Sequence, residues 1–296
     1  MDSGVQCIKQ DLTTIILTYN ESKHIERCIN SVKDISSRVV VVDSYSDDDT
    51  VDIAKSKGAD VFQNKFINQA KQFQWALNEC DINTEWTIKL DADEYLLESL
   101  REELVIKLSR VKPNVSLLYL KLRLYFMGKW VKRGYYPLVL PRVFRTKHGY
   151  MEDSWMDEHI RVRKGESIIL ENDFVDENLN TLTFWTQKHN NYATREVLIR
   201  LNNKYKFSDE ILKPKYSRLK EVYLKFPRFI RPFFLFSYRY FFSLGFLDGR
   251  EGLIWHFLQS FWYQFLIDAK EYQIEYIAIK ENKEIKEIIF EELNNA

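Results

Sequence analysis

The chain has few of the features that mark the simpler functional classes. Its three cysteines, Cys7, Cys28 and Cys80, are odd in number and lack CxxC spacing. This pattern argues against a disulfide framework or a zinc knuckle and fits a reducing cytosol. Lysine plus arginine and aspartate plus glutamate both number 43. Positive and negative charges are therefore balanced over the whole chain. A nucleic-acid binder commonly carries an excess of basic residues, so we expect no nucleic-acid partner.

Long apolar runs are also missing. No stretch reaches about 18 uninterrupted apolar residues, so an ordinary membrane-spanning helix is not expected. The start, MDSGVQCIKQDL, shows no basic segment followed by an apolar one, and we expect no signal peptide. The 296 residues are 45% apolar and 15% aromatic, enough to bury a full core.

Glycine motifs that cradle phosphates are absent as well. The turn after the first apolar run reads TYNES instead of GxGxxG, and GxxxxGK[ST] occurs nowhere. A phosphate ligand would therefore be held through a metal rather than by a glycine-rich loop.

The first hundred residues show alternating strand and helix patterns. LTTIILTYN (12–20) and RVVVVDSYS (38–46) are continuous β-branched runs, typical of strands covered on both faces in a parallel sheet. A helical pattern lies between them and a second follows, with Gly58 as its expected stop. A third helix around 69–79 leads into another strand. The pattern of residues 1–100 therefore predicts that they form a doubly wound α/β half of the fold.

Beyond residue 115 the sequence pattern changes to alternating, aromatic-rich segments typical of antiparallel strands, and later to helical segments. We expect an α/β fold with a mixed sheet flanked by helices and a C-terminal helical extension. The predicted domains are 1–170, divided into a nucleotide-binding half (1–100) and an acceptor half (101–170), and the extension 171–296.

Three polar clusters follow the predicted strands: Thr18 to Glu21, Asp43 to Thr50, and Asp91 to Asp93. Ligands of an open parallel sheet bind outside the carboxyl ends of its strands, where these clusters would converge. Like charges one residue apart are costly unless a cation neutralises them. One explanation for the adjacent acids is that they bind a divalent ion, which in turn holds a diphosphate. The alternative is that each cluster only caps the helix that follows it.

The motifs TYNE, VVVVDSYSDDDT, QFQWAL and KLDADE resemble, in order and spacing, the inverting family 2 glycosyltransferases of the GT-A fold. The likeness is to bacterial members that build lipopolysaccharide cores, capsules and other surface glycans, and it covers roughly the first 165 residues. RVFR, WMDEH, DEN and WTQKHNNYATRE look like a subgroup of the same family.

The resemblance implies a nucleotide-sugar donor, with UDP favoured, and Mg²⁺ or Mn²⁺ as cofactor. Asp93 would be the main metal ligand, and Asp91 would lie near the ribose, the diphosphate and the metal. The residues implied in nucleotide-sugar binding are Thr18, Tyr19, Glu21, Asp43, Ser44, Gln72 and Asp91. Relatives often carry a basic residue after the glutamine, where this chain has Phe73. Lys71 or Lys89 would then supply the charge.

Inversion requires a base across the sugar from the metal. WMDEH supplies Asp157 and Glu158, and we favour Glu158. His159 is either a further metal ligand or a structural residue, and Trp155 either stacks on the acceptor or belongs to the core.

Arg142 and Arg145 are candidates for holding a phosphate of donor or acceptor, with a strand-face ion pair as the alternative. We count both among the predicted acceptor-binding residues.

Residues 211–250 contain nine basic and two acidic residues, interleaved with phenylalanine and tyrosine. This pattern fits a helix lying in the interface of an anionic membrane, and the alternative is a helical lid on the catalytic core. With the resemblance, it predicts transfer of one sugar to a lipid-linked or lipopolysaccharide-type glycan. The enzyme would be cytoplasmic and peripheral at the inner face of the bacterial membrane. The rival hypotheses are a sugar-nucleotidyltransferase and an inactive glycan- or membrane-binding module.

Overall fold

A computed structural model describes residues 9–152, 160–206 and 218–294. They divide into two compact units, the first comprising 9–152 with 160–179 and the second 180–294. The domain boundary expected at residue 170 lies inside a strand of the first unit, which extends to Leu179.

The first unit contains all the strands of the described residues. In chain order these are β1 Gln10–Thr18, β2 Ser36–Asp43, β3 Asp60–Gln63, β4 Trp86–Asp91, β5 Glu94–Leu96, β6 Val115–Phe126, β7 Lys129–Trp130, β8 Leu138–Arg145, β9 Gly149–Met151, β10 Ile160–Val162 and β11 Glu166–Glu177. Its helices are α1 Ile25–Val32, α2 Thr50–Ser56, α3 Gln69–Glu79 and α4 Glu98–Arg110.

The predicted mixed sheet is confirmed. Its order is β3-β2-β1-β4-β8-β6-β11-β5, with β7 paired to β6 and with β9 and β10 forming a separate ribbon. The strands β3, β2, β1 and β4 are parallel, whereas β8 runs antiparallel to both β4 and β6. The antiparallel part begins where the apolar pattern changes from continuous to alternating.

Both faces of the parallel part are buried, which explains the continuous apolar runs. Leu12 and Ile16 of β1 face one core cluster, together with α1, α2 and α4. Ile15 and Leu17 face a second cluster with α3. A half-exposed strand would have required polar residues at every second position.

Local signals set the helix limits as the sequence predicts. Gly58 follows α2 with φ of +83°, a conformation that favours glycine. At the start of α3, the Asn68 side chain accepts a hydrogen bond from the Lys71 backbone amide at 2.7 Å.

The second unit is helical, which confirms the predicted C-terminal helical extension. Its α-helices are α5 Leu182–Tyr205, α6 Arg218–Lys225, α7 Arg231–Ser237, α8 Gly249–His256, α9 Tyr263–Glu281 and α10 Ile285–Asn294. Two π-helical segments, Tyr238–Phe242 and Phe257–Trp262, continue α7 and α8, and Gly245–Asp248 forms a 3-10 turn. Its core is formed by α5, α9 and α10. No described helix has both the length and the apolar character needed to cross a bilayer.

Buried ion pairs hold α5, α7 and α9 together. Asp268, fully buried on α9, accepts hydrogen bonds from Arg200, from Arg231 and from the Phe229 amide. Arg228 binds Glu271 and Glu275. Much of the basic excess of residues 211–250 therefore neutralises acids of the same unit, while Lys213 and Lys215 lie outside the described residues.

We predict that Asp268→Asn lowers the free energy of unfolding by about 3 kcal/mol, because two buried guanidinium groups lose their shared carboxylate. Urea denaturation of the full chain measures this loss. Glu281→Gln, which breaks the exposed Lys283–Glu281 pair, is the control and should leave the value nearly unchanged. Equal effects of the two changes would contradict the assignment.

Candidate functional site

The strand register brings the predicted polar clusters to one edge of the sheet. Thr18, the last residue of β1, pairs with Asp43 of β2, and Leu17 pairs with Asp91 of β4. Neighbouring strands lie about 4.8 Å apart. The two aspartates therefore flank the end of β1, as the sequence predicts from the parallel order.

The loops after β1 and β2 are hydrogen-bonded to each other. The Asn20 amide donates to Ser46 Oγ at 2.8 Å, and the Asp47 amide donates back to Asn20 Oδ1 at 3.0 Å. The Glu21 amide donates to Thr50 Oγ1 at 2.8 Å. These bonds fix both loops before any ligand binds.

Three of the predicted nucleotide-sugar residues serve this loop structure. Asp43 is fully buried and accepts hydrogen bonds from Ser46 and from Gln63 Nε2 at 3.1 Å. Gln72 is also buried and binds Ser44 Oγ at 3.2 Å and Asn64. In this structure, Asp43 and Gln72 therefore use their polar atoms to shape the β2 loop.

Two tyrosines at the strand ends are open to solvent. Tyr19 is 57% exposed and Tyr45 is 58% exposed, and Tyr45 has φ of +64°. A left-handed tyrosine is strained and commonly marks a functional site. Thr18, the residue before Tyr19, has a buried hydroxyl with no hydrogen-bond partner among the described residues. Flat rings in these positions suit stacking on a nucleobase.

The acids after β4 do not cap a helix. Asp91 ends β4, Glu94 begins β5, and the N-cap of α4 is Leu97, which makes no side-chain capping bond. Asp91 Oδ1 instead accepts from Lys89 Nζ at 2.9 Å and from Gln69 Nε2 at 3.2 Å. Lys89 is buried, so its ammonium directly offsets the charge of Asp91.

Glu94 is buried behind the two aspartates and forms an ion pair with Arg142. Its other oxygen accepts from the Asp91 amide at 2.9 Å. Burial raises the pKa of the Glu94 carboxyl, and the Arg142 guanidinium at contact distance opposes that rise. The strand-face ion pair considered for Arg142 is thus present. We call the strand ends and loops that carry Glu21, Asp43, Asp91, Asp93 and Glu94 the acidic edge.

Asp93 differs from its neighbours because a neutral group holds it. Asn178 Nδ2 donates to Asp93 Oδ2 at 3.0 Å, and no described residue donates to Oδ1. One carboxylate oxygen thus remains suited to a hard divalent cation. No set of three or more His, Cys, Asp or Glu side chains in the described ranges could hold a metal. A cation here would therefore need phosphate oxygens to complete its shell.

The other predicted residues lie away from these acids or outside the described residues. Arg145 pairs with Trp86 and binds Glu85, at the amino end of β4, about 17 Å from Asp91 by strand length. The structure therefore does not bring Arg145 to the acidic edge. Lys71 is exposed on α3. The predicted base Glu158, with Asp157, and the residues Trp155 and His159 lie outside the described residues.

Several residues that reach the acids have only a weak signal in the local sequence, or none. Gln63, Gln69 and Asn178 come from different elements, and of these only Asn178 lies in a motif, the DEN triplet. The positive φ of Tyr45 is a backbone property that the presence of a tyrosine does not predict. An amide at the start of a helix is the weak signal that Gln69 offered.

We predict that Arg142→Met lowers the free energy of unfolding by about 3 kcal/mol, because Glu94 stays buried without its cation. The double change Glu94→Gln with Arg142→Met should recover most of that loss. Urea denaturation of the four members of this cycle measures the coupling. Lys57→Met, which breaks the surface pair with Glu26, is the control and should have a much smaller effect. Additive effects would mean that the pair is not coupled.

Comparison with known proteins relates part of the chain to glycosyltransferases. Residues 13–154 match the profile described as glycosyl transferase family 2. An uncharacterized glycosyltransferase of Rickettsia prowazekii, RP128, is 38% identical over 128 residues, which are 43% of this chain and 43% of that protein. The lipopolysaccharide core biosynthesis glycosyltransferase LpsC of Rhizobium meliloti is 33% identical over 99 residues, 32% of this chain and 36% of LpsC. The chain thus spans less than half the length of these relatives.

Among solved structures, glucosyl-3-phosphoglycerate synthase from Mycobacterium tuberculosis, in complex with Mn²⁺, UDP and glucosyl-3-phosphoglycerate, is similar with a TM-score of 0.33. The match has 18% sequence identity and covers 38% of this chain and 44% of that protein.

Proposed function

Because residues 13–154 match the profile of glycosyl transferase family 2, we propose that the chain transfers a single sugar from a nucleotide-sugar donor to a glycan acceptor, with inversion and with a divalent metal. The favoured donor is a UDP-sugar. The acceptor we favour is a lipid-linked or lipopolysaccharide-type glycan of the bacterial cell surface, which the partial likeness to LpsC supports.

One observation carries the proposal. The ends of β1, β2 and β4 adjoin, and among the acids there, Asp93 keeps a carboxylate oxygen without a hydrogen-bond donor in the described residues. A site for a metal diphosphate needs a carboxylate of this kind beside fixed loops. Asp93 would hold Mg²⁺ or Mn²⁺, with Asp91 close to the ribose and the diphosphate.

The nucleoside would lie on the loops after β1 and β2. Tyr19 and Tyr45 offer exposed rings there, and Thr18 and Glu21 line the same edge. Asp43 and Ser44 would act near the base, within a loop that Gln72 and Gln63 keep in place. Such preorganisation lowers the entropy lost when the donor binds.

In the reaction, Glu158 removes the proton from the acceptor hydroxyl, with Asp157 as the alternative base. The oxygen forms a bond to the anomeric carbon from one face as the carbon–oxygen bond to the nucleoside diphosphate breaks on the other. The leaving diphosphate keeps that electron pair. A bound divalent metal would stabilise the negative charge that develops on it.

We predict metal-dependent binding of one UDP-sugar to the full chain, and loss of that binding in Asp93→Ala, because the cation would lose its carboxylate ligand. Calorimetry with a panel of nucleotide sugars, with and without Mn²⁺, measures this. Asp60→Asn, which changes an exposed carboxylate paired with Arg38, is the control and should bind as the unchanged chain does.

Glu158→Gln should keep donor binding and lose sugar transfer, since a base acts on the acceptor. Metal-independent binding, or no binding of any nucleotide sugar, would reject the proposal. A sugar-nucleotidyltransferase would instead form a nucleotide sugar from a nucleoside triphosphate and a sugar phosphate. An inactive module would bind glycan or membrane without turnover.

The second unit supports a location at a membrane surface. We name residues 231–262 the aromatic hairpin, in which Phe233 packs on Phe261 at 4.6 Å between ring centres. Its exposed apolar side chains are Phe233, Phe234, Tyr238, Phe241, Phe242, Leu244, Phe246, Leu247, Leu253 and Phe257.

Charge on this surface has one sign over a long stretch. Residues 222–247 contain no aspartate or glutamate, and Lys225 within this stretch is exposed. Aromatic side chains near cations in a stretch without acids suit the interface of an anionic bilayer. The protein would then be cytoplasmic and peripheral at the inner face of the cell membrane. The alternative remains a lid on the catalytic unit.

We predict that the double change Phe241→Ser with Phe242→Ser weakens binding to phosphatidylglycerol vesicles at least about tenfold, because two phenyl groups no longer enter the apolar layer. Vesicle sedimentation measures the partition. Ile106→Ser removes a similarly exposed apolar group from α4 of the first unit and should have no effect. Equal sedimentation of all three proteins would remove the membrane location. Deleting residues 211–296 is a poorer test, since α9 forms the core with α5.

A further inference from the structure

The three residues at the end of β11, Glu177 to Leu179, are bonded to two separate parts of the acidic edge. We propose that this segment, which we name the β11 clamp, positions Asp93 as the metal-binding carboxylate and ties it to Glu21. The inference rests on the proposed function, since it assigns residues that act through the proposed metal ligand. None of the three clamp residues needs to touch the donor itself.

Asn178 fixes the side chain of Asp93. Its Nδ2 donates to Asp93 Oδ2 at 3.0 Å, and the Glu177 amide donates to the Asp93 carbonyl at 3.2 Å. Both the backbone and the carboxylate of Asp93 are therefore held from the same segment. Ligand carboxylates of metal sites are commonly oriented by such outer hydrogen bonds.

The neutrality of Asn178 sets Asp93 apart from Asp91. Lys89 brings a full positive charge to Asp91 at 2.9 Å, so that pair has little charge left for a cation. An amide orients Asp93 without neutralising it. The two aspartates, two residues apart, therefore have different electrostatic roles, and the one with its charge left over is the better cation ligand.

Arg27 anchors the clamp to α1. Its Nη1 donates to Glu177 Oε2 at 2.5 Å and its Nη2 donates to the Glu177 carbonyl at 2.7 Å. The guanidinium also lies over the Tyr95 ring, 4.3 Å from its centre. A planar guanidinium that makes two bonds to one residue restricts both its side chain and its backbone. The backbone that carries Asn178 is thereby fixed.

His24 links the clamp to the opposite side of the edge. It is fully buried, and its Nε2 accepts a hydrogen bond from the Leu179 amide at 2.8 Å. A ring nitrogen that accepts carries no proton, so the proton lies on Nδ1 and is donated to the Glu21 carboxylate. Glu21, a predicted nucleoside contact, and Asp93 are thus held by one short segment.

The test is Mn²⁺ affinity of the full chain in the presence of UDP, measured by calorimetry, with UDP affinity in the absence of metal measured alongside. We expect Asn178→Ala and the nearly isosteric Asn178→Leu to weaken Mn²⁺ binding by about 10- to 100-fold, because Asp93 loses its orienting donor. UDP binding without metal should change by less than about twofold. A general loss of structure would weaken both.

Asn172→Ala is the matched control. Asn172 lies on the same strand and its Nδ2 donates to the Glu103 carboxylate at 3.0 Å, so it has the same kind of bond to an acid outside the site. Mn²⁺ affinity of this variant should equal that of the unchanged chain. Thermal unfolding followed by circular dichroism establishes that each variant is folded.

The possible failures are distinguishable. If the unchanged chain binds Mn²⁺ and UDP together, but both Asn178 variants bind Mn²⁺ with unchanged affinity, the clamp is overturned and the proposed function stands. If the unchanged chain binds no Mn²⁺ with UDP, the proposed function itself is overturned. A loss in the Asn172 variant equal to that in the Asn178 variants would overturn the clamp as well.

Discussion

Three carboxylates occupy four consecutive residues at the end of β4 and the start of β5, and each is held by a side chain from a different part of the chain. Lys89 of β4 binds Asp91, Arg142 of β8 binds Glu94, and Asn178 after β11 binds Asp93. Glu94 is buried, and without its partner it would cost several kcal/mol. The full arrangement therefore forms only when β4, β8 and β11 are assembled in one sheet.

The sequence predicts the parallel half of this arrangement because its signals are local. Continuous β-branched runs, helical spacing around Ile25 and Val32, and a glycine stop at Gly58 determine strands and helices from a few residues each. Parallel strands all present their carboxyl ends to one edge, so the meeting of Asp43 and Asp91 follows from the strand order alone.

The partners of Glu94 and Asp93 follow from no local pattern. Arg142 lies 48 residues from Glu94 and Asn178 lies 85 residues from Asp93. Their pairing depends on how the antiparallel strands are ordered, which alternation does not determine. The same reason accounts for the basic stretch of residues 211–250. The acids that neutralise Arg228 and Arg231 lie on α9, about 40 residues later, so a window of local charge overstates the charge available to a partner.

Burial divides the predicted binding residues into two kinds. Asp43 and Gln72 are buried, with polar atoms taken by Ser46, Gln63 and Asn64, so these side chains hold the loops in shape. Tyr19 has an open ring, as does Tyr45, which the motifs did not mark as a binding residue, and Asp93 has an oxygen that takes no hydrogen bond from the described residues. A sequence motif cannot distinguish buried from exposed binding residues, because residues of both kinds occur within the same ordered set of motifs. A ligand can meet only the second kind without first breaking hydrogen bonds, so the loops would keep their shape as it binds.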